Sequence, residues 1–324
     1  MELIIKPTGL CNFACSFCSS ATLPILEKPL KKVPDKLKDL IDYVKPDELI
    51  VTGGDPLMVD PEYYYHLHDI RPVHISITSN LKDFYIHPDK WIKLFKEDWF
   101  DITISFQYGE GRKWDINTIY TEEMFRDVHN KFTESIGKDL PFISVIDYNN
   151  EHTVLDLYKL AKSLNTKVKI NNMLALGYSD LTYPRYKMFQ HYINIIESGL
   201  GDYEAYCSKP YFHGCPFNKN FTCESMIRAC YIDNKGELHY FHCDNMDGEY
   251  EVQLDYKSDK IGLISTYPKL SEHVNSNCWQ CELFELCNGC KSARMTYPKE
   301  HCEEMLKLKD KIIEYEWVDK KGLI

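Results

Sequence analysis

The stretch CNFACSFC at residues 11–18 places three cysteines in a C-x3-C-x2-C arrangement, with an aromatic residue just before the third. Three thiolates can hold three irons of a four-iron cluster, which leaves the fourth iron open to a ligand from outside the protein. A zinc loop or three buried thiols would also account for the pattern. The stretch follows the short apolar run ELIIK at residues 2–6. We therefore expect the cysteine loop at the carboxyl end of a first strand, where α/β barrels carry their chemistry.

A second motif directly follows a second predicted strand, as the cysteine motif follows the first. The apolar run ELIVT at residues 48–52 leads into GGDP at residues 53–56. Glycines let a backbone approach a ligand closely, and exposed carbonyls together with the Asp55 carboxylate can receive an ammonium group. Alone, such a segment would indicate only a turn.

Together the two motifs resemble the signatures of the radical S-adenosylmethionine (SAM) superfamily. There, SAM occupies the open iron, a GGEP-type motif binds its amino group, and one electron releases a 5′-deoxyadenosyl radical. The resemblance implies that Cys11, Cys15 and Cys18 hold a SAM-binding 4Fe-4S cluster. It also implies that SAM is contacted by Phe17, Gly53, Gly54, Asp55 and Pro56. Asp55 is one methylene shorter than the usual Glu of that motif.

The first half of the chain alternates strand-like and helix-like segments. Strand-length runs cover residues 2–6, 48–52, 74–78, 101–106, 142–146 and 168–170, and helical spacing follows Pro34, Pro88 and residue 153. Parallel neighbours need crossover helices, so this order predicts an α/β fold with a parallel sheet. We expect an open, partial (β/α)6 barrel of the TIM type, which matches the radical SAM core.

Polar residues at the ends of later strands are further candidates for cofactor contacts. By the resemblance, Thr78 and Asn80 match a Thr-Asn position after strand three. Ser105 and Gln107 resemble the segment that reaches the ribose and carboxylate of SAM, and Leu176 would pack near the adenine. Ser105 and Gln107 could instead satisfy buried backbone groups.

Composition predicts a cytoplasmic enzyme. The chain has 324 residues, of which 44% are hydrophobic, enough for a sizeable core. Thirteen cysteines, an odd number, without an evident signal peptide favour metal ligands in a reducing compartment over disulfides. The net charge of −11 argues against a broad nucleic-acid groove, and no apolar run is long enough to cross a membrane.

Ten of the cysteines lie in the second half, from Cys207 onward. The spacing C-x2-C-x5-C-x2-C at residues 278–290 could by itself be a structural zinc site. The whole set resembles the SPASM extension of radical SAM peptide maturases, including the anaerobic sulfatase-maturing enzymes, which carry two auxiliary 4Fe-4S clusters. By the resemblance, the first auxiliary cluster would be held by Cys223, Cys230, Cys243 and Cys290. The second would be held by Cys278, Cys281, Cys287 and Cys302.

Two spacings depart from that family's pattern. Two residues separate Cys287 from Cys290 where three are usual, and six separate Gly236 from Cys243 where four are usual. The expected organisation is a radical SAM core at residues 1–180, a helical bridge at 181–220 and a SPASM domain at 221–324 with a terminal helix.

Asp244 directly follows Cys243, and in sulfatase-maturing enzymes an aspartate at the matching position is the proposed proton acceptor. An aspartate in a surface turn is the alternative. Cys207 and Cys215 belong to neither predicted cluster. They could act as a radical quencher or a substrate-linking thiol, or they could be ordinary buried cysteines.

The expected function is hydrogen-atom abstraction from a peptide or protein side chain, ending in oxidation or crosslinking. The signature begins at residue 11, which weakens a version that needs an N-terminal leader-binding domain. Dehydrogenation or isomerisation of a sugar, cyclitol or nucleoside is the alternative. A non-catalytic metal-binding or electron-transfer protein is a third hypothesis, and the GGDP motif speaks against it. The family implies an electron donor such as flavodoxin or ferredoxin.

Overall fold

The computed structural model describes residues 2–174, 178–179, 182–205, 229–241, 251–255, 262–264, 280–283 and 300–314. Two compact units are distinguished along the chain. Unit 1 comprises residues 1–143, 176–178 and 224–267, and unit 2 comprises residues 144–175, 179–223 and 268–324. No helix in the described part of the chain is long and apolar enough to span a membrane.

The strands and helices follow one another in an α/β order. The described strands are β1 (Glu2–Lys6), β2 (Glu48–Val51), β3 (His74–Ser79), β4 (Phe100–Ser105), β5 (Lys113–Asp115), β6 (Thr118–Ile119), β7 (Phe142–Ile146), β8 (Val168–Asn172), β9 (Ala229–Ile232), β10 (Leu238–Phe241), β11 (Glu251–Asp255) and β12 (Gly262–Ile264). The helices are α1 (Asp35–Val44), α2 (Pro61–Ile70), α3 (Lys82–Ile86), α4 (Pro88–Phe95), α5 (Glu122–Ile136), α6 (Val154–Ser163), α7 (Arg185–Glu197), α8 (His301–Lys307) and α9 (Lys309–Glu314).

Unit 1 is built on a sheet whose central strands are parallel. In this unit the strand order is β12-β11-β10-β9-β1-β2-β3-β4, and the first two residues of β7 pair in parallel with the end of β4. The α/β class with a parallel sheet, predicted from sequence, is confirmed. Because β1 to β4 are parallel and in register, their carboxyl ends lie side by side at one edge of the sheet.

Alternation along the strands places the apolar core on one face of this sheet. Leu3, Leu49, Val51 and Ile75 are completely buried, while intervening positions such as Ser76 are only half-buried. Burial of large apolar side chains on α4, predicted from its helical spacing, is also observed. The buried face is where the crossover helices that parallel neighbours require can pack.

The segment after residue 228 extends the same sheet beyond β1. Strand β9 pairs in parallel with β1, so that Cys230 lies opposite Ile5, and β10 then pairs antiparallel with β9. Ile25 packs into the small apolar cluster that β9 and β10 form on this side. A chain segment more than two hundred residues from β1 thus becomes its direct neighbour.

Unit 2 contains β8, α6 and α7 together with α8 and α9. The Met173 N–H donates to the Ile146 carbonyl at 2.9 Å, which places the end of β8 beside the end of β7. Helix α8 contacts α7 through Tyr186 and His301, whose ring centroids lie 5.9 Å apart.

Candidate functional site

The cysteine loop is held in place by the backbone of the GGDP segment. Gly54 N–H donates to the Thr8 carbonyl at 2.9 Å, and Asp55 N–H donates to the Leu10 carbonyl at 2.7 Å. A Cβ added to Gly54 would lie 2.1 Å from the carbonyl oxygen of Leu10 and 2.4 Å from that of Gly9. Such distances are impossible for a real side chain, so Gly54 is required because two backbone segments meet there.

Gly53 is required for two reasons. Its φ of +130° lies in a region that L side chains rarely adopt, and an added Cβ would lie 2.6 Å from the Thr8 carbonyl oxygen. The close approach that both glycines allow is therefore to the cysteine loop itself. Contact between this segment and SAM stays a prediction.

The Asp55 carboxylate faces the protein interior and is only 2% exposed. Its oxygens accept hydrogen bonds from Leu57 N–H at 2.9 Å, from the Ser79 hydroxyl at 3.0 Å and from Asn80 N–H at 2.8 Å. Burial raises the pKa of this carboxyl, whereas the three donors favour the carboxylate and limit the rise. Asp55 thereby ties the end of β2 to the end of β3. Pro56 begins the 3-10 turn that Asp55 caps.

Asn80 and Lys82 connect the end of β3 to the cysteine loop. The Asn80 amide donates to Asn12 Oδ1 at 2.8 Å and lies 3.8 Å from Cys11 Sγ. The Lys82 ammonium donates to the Asn12 carbonyl at 3.1 Å and to the Trp114 carbonyl. Asn80 therefore reaches the loop predicted to hold the cluster. Thr78 lies half-buried two residues earlier on β3.

A short hairpin after β4, formed by β5 and β6, packs on the other side of the cysteine loop. Ala14 N–H donates to the Lys113 carbonyl at 3.1 Å, and Ser16 N–H donates to the Gly111 carbonyl at 2.9 Å. The Phe13 ring packs against Trp114 of β5 and against Tyr120, which follows β6, with centroids 5.5 Å and 5.0 Å away, and these two rings stack on each other at 5.6 Å. The sequence analysis did not predict this hairpin.

Phe17, Gln107 and Arg112 meet around Gly111. A Cβ on Gly111 would lie 3.1 Å from Phe17 Cδ1 and 3.3 Å from Gln107 Nε2. Gln107 is 2% exposed, and its Oε1 has no hydrogen-bond partner in the part of the chain that the structure describes. Ser105, two residues before Gln107 at the end of β4, is also buried. Buried unpaired polar atoms need a partner, so this corner is suited to bind a polar group.

All three thiols of the loop are at least partly exposed, and for Cys11 and Cys15 the thiolate form is disfavoured. Cys11 is exposed, while Cys15 and Cys18 are half-buried. Burial, together with the Asp55 charge, raises the pKa of Cys11 to about 12, and burial raises that of Cys15. A bound cationic iron would reverse this preference, since metal-bound thiols lose their protons. The loop thus fits a metal cluster, because bound iron would stabilise the thiolate form of its cysteines.

Within the described ranges, no three His, Cys, Asp or Glu side chains converge closely enough to hold one metal ion. A four-iron cluster places each thiolate on a different iron, so its ligands need not converge on a single point.

The structure describes three of the eight predicted auxiliary ligands. Cys230 is completely buried within β9, Cys281 is half-buried, and Cys302 is exposed on α8. Burial raises the pKa of Cys230 well above its ordinary value. The other predicted residues lie outside the described ranges: Cys223, Cys243, Cys278, Cys287, Cys290, Leu176 and Asp244.

The sequence analysis missed three residues that the structure places around the cysteine loop, Asn12, Lys82 and Arg112. Asn12 lies inside the motif, at a position that the cysteine spacing does not specify. The two glycines Gly109 and Gly111, close after β4, were an available signal for a turn that could fold back on the loop.

Comparisons with known proteins agree with the motifs. Residues 5–161 match the family model described as "Radical SAM superfamily". No curated protein matches the chain. Among solved structures, the chain is similar to Streptococcus suis SuiB, crystallised bound to the precursor peptide SuiA. The identity is 16%, the TM-score is 0.58, and the match covers 93% of this chain and 74% of SuiB, which shows a shared fold. Residues 5–161, which contain the cysteine loop, are thus similar to the radical SAM superfamily, and this similarity implies a 4Fe-4S cluster and SAM.

Proposed function

We propose that this protein is a radical SAM enzyme that removes a hydrogen atom from a peptide or protein side chain. The observation that carries the proposal is the three-cysteine loop, braced on both sides within the domain that matches the superfamily. When bound and reduced by one electron, the cluster and SAM together supply a 5′-deoxyadenosyl radical. Removal of a hydrogen atom from the substrate would then be recorded as formation of 5′-deoxyadenosine.

The role of the chain is to hold this chemistry in place. Cys11, Cys15 and Cys18 bind three irons, and the backbone of Gly53 and Gly54 fixes the loop that presents them. Thr78, Asn80, Ser105 and Gln107 stand at or beyond the carboxyl ends of β3 and β4 and contact SAM in this proposal. Leu176 packs near the adenine.

The peptide substrate is supported by two observations. The fold resembles that of SuiB, which was crystallised with its precursor peptide, over 93% of this chain. The second half also carries the eight cysteines, Cys230, Cys281 and Cys302 among them, that resemble SPASM ligands. In this proposal these eight cysteines would hold two auxiliary 4Fe-4S clusters, which would supply an electron acceptor, and Asp244 would accept the proton from the substrate radical. Loss of one electron and one proton after hydrogen removal leaves the substrate oxidised by two electrons.

The first test measures 5′-deoxyadenosine formation by the anaerobically reduced protein with SAM and size-fractionated host extract. Stimulation that protease treatment abolishes supports a peptide or protein substrate. Protease-resistant stimulation by the small-molecule fraction would assign the enzyme to a sugar, cyclitol or nucleoside. No 5′-deoxyadenosine from iron-replete protein would overturn the radical proposal.

A second test counts irons in matched cysteine variants. Three four-iron clusters predict about twelve irons per chain, and replacing all three loop cysteines by alanine predicts about eight. Cys215→Ala is the matched control, since that cysteine belongs to none of the proposed ligand sets, and it retains about twelve. A wild-type count of about four would remove the auxiliary clusters from the proposal.

A further inference from the structure

Arg112 is a buried cation beside the cysteine loop. Its side chain is only 7% exposed, and its Nε has no hydrogen-bond partner among the residues that the structure describes. None of the ion pairs between described residues includes Arg112. An unpaired buried charge costs several kcal/mol, so native proteins almost always pair it.

The surroundings of Arg112 show where its partner would lie. The guanidinium stacks on Phe17, with Cζ 5.2 Å from the ring centroid, and Phe17 stands between the second and third loop cysteines. Arg112 is close enough to Cys15 for its charge to lower the pKa of that thiol, against the effect of burial. The Arg112 charge also lowers the pKa of the Tyr120 hydroxyl, against the larger effect of burial. That hydroxyl is buried and has no hydrogen-bond partner among the described residues.

The backbone fixes Arg112 in this position. Its neighbour Gly111 accepts a hydrogen bond from Ser16 N–H at 2.9 Å, and its own carbonyl accepts one from Tyr120 N–H at 2.9 Å. A Cβ at Gly111 would press on Phe17 and Gln107, whose side chains would have to shift by a few tenths of an ångström. The guanidinium is therefore part of the support of the loop and not a free surface group.

We propose that Arg112 is the counter-ion of the anionic, thiolate-ligated cluster bound at the loop and raises its reduction potential. The inference rests on the proposed function, because it needs a cluster at Cys11, Cys15 and Cys18. A thiolate-ligated cluster gains a further negative charge when it accepts an electron. A fixed positive charge in a dry environment stabilises that reduced form more than the oxidised form. Arg112 thus acts through the cluster as a positioning and electrostatic residue.

Two other roles are physically possible for a cation here. Arg112 could serve only as a stacking partner of Phe17, or it could bind the carboxylate of SAM. The first role depends on shape, and the second appears only when SAM is present. In a redox titration without SAM, either role predicts an unchanged reduction potential for Arg112→Gln. The counter-ion role predicts a lower reduction potential.

The test is a redox titration, monitored by electron paramagnetic resonance, of Arg112→Gln and Arg112→Lys proteins without SAM. The signal that changes when SAM is later added identifies the loop cluster. At the potential where half of the wild-type cluster is reduced, Arg112→Gln is expected to show about a tenfold lower reduced-to-oxidised ratio, equivalent to about 59 mV for one electron. Arg112→Lys keeps the charge and stays near wild type. Arg126→Gln, which removes a half-exposed charge paired with Glu122 on α5, is the matched control and leaves the ratio unchanged.

Equal ratios in Arg112→Gln and wild type would overturn the inference, as would a change that appears only after SAM is added. If Arg112→Gln loads no cluster, iron content decides. Recovery of iron in Arg112→Lys, with unchanged circular dichroism, supports charge pairing, whereas equal loss in both variants overturns it. A wild-type protein without a SAM-responsive cluster would instead refute the proposed function, so the two failures are distinguishable.

Discussion

Replacing Gly54 by alanine tests whether the GGDP segment works by bracing the cysteine loop. The added Cβ would lie 2.1 Å from the Leu10 carbonyl oxygen and 2.4 Å from that of Gly9. Both atoms belong to backbone, so no flexible side chain can move aside. The loop must shift away from β2, and we expect the variant to lose stability and cluster binding together.

The size of the effect follows from the contacts at this point. Overpacking a rigid site costs about 1–3 kcal/mol. The shift would also weaken the hydrogen bonds from Gly54 N–H and Asp55 N–H to the loop, each contributing about 1 kcal/mol net. The expected loss is about 3–5 kcal/mol in the free energy of unfolding.

Gly137→Ala provides a matched control. Gly137 ends α5 with a φ of +78°, and nothing lies within 4 Å of a Cβ added there. That change therefore costs only the left-handed backbone strain, about 1–2 kcal/mol. Both substitutions restrict the unfolded chain equally, so their difference reports on the folded state.

The assay is urea unfolding of both variants as apo-proteins, followed by iron analysis after anaerobic reconstitution. We expect Gly54→Ala to be less stable than Gly137→Ala and to have lost the irons of the loop, while Gly137→Ala keeps them. A Gly54→Ala protein within about 1 kcal/mol of wild type, with full iron content, would refute the bracing argument.

Three further predictions follow from contacts around the loop and in unit 2. Lys82→Met removes the ammonium that joins the loop to the hairpin. We expect it to lower the free energy of unfolding by about 2 kcal/mol and to increase proteolysis of the hairpin. Lys90→Met, which removes an exposed ion pair and a ring contact, is the control, and equal effects of the two changes would contradict the assignment. Asp55→Asn places an amide N–H against donors and is expected to cost about 2 kcal/mol in urea unfolding; an unchanged midpoint would show that the carboxylate is dispensable. Burial lowers the pKa of His191 from its ordinary 6.5 to about 4. The unfolded chain therefore binds more protons between these values, and the free energy of unfolding falls by about 3 kcal/mol as pH drops through that window. His191→Gln flattens this dependence in unfolding measurements, His152→Gln does not, and a retained slope in His191→Gln would assign it to other groups.

The strands and the cysteine loop were predictable because their signals are local. Alternating apolar residues mark β1 to β4, and the carboxyl end of each strand could be read from the residue that breaks the run. The helix of residues 88–95 follows from a proline and three large apolar residues at helical spacing. The order of strands and helices then sufficed for the parallel sheet and for the edge that carries the site.

Other features depend on partners distant in sequence. The strands β5 and β6 have three and two residues, too short for any periodic signal, and they are ordered by their contact with residues 13–16. Strand β9 joins β1 across more than two hundred residues, and the cysteine on it gives no local indication of this pairing.

The sequence by itself determined the chemistry class, because the spacing of the three cysteines and the glycine pair after the second strand are set by the order of the amino acids alone. Only the tertiary structure decided what these residues touch. The Asp55 carboxylate points at donors from β3, and the two glycines serve an approach of backbone to backbone. Arg112, unremarkable in the sequence, becomes a buried cation at the cysteine loop. The physical reason is that burial, hydrogen-bond partners and charge pairing are properties of neighbours in space, which one-dimensional spacing does not contain.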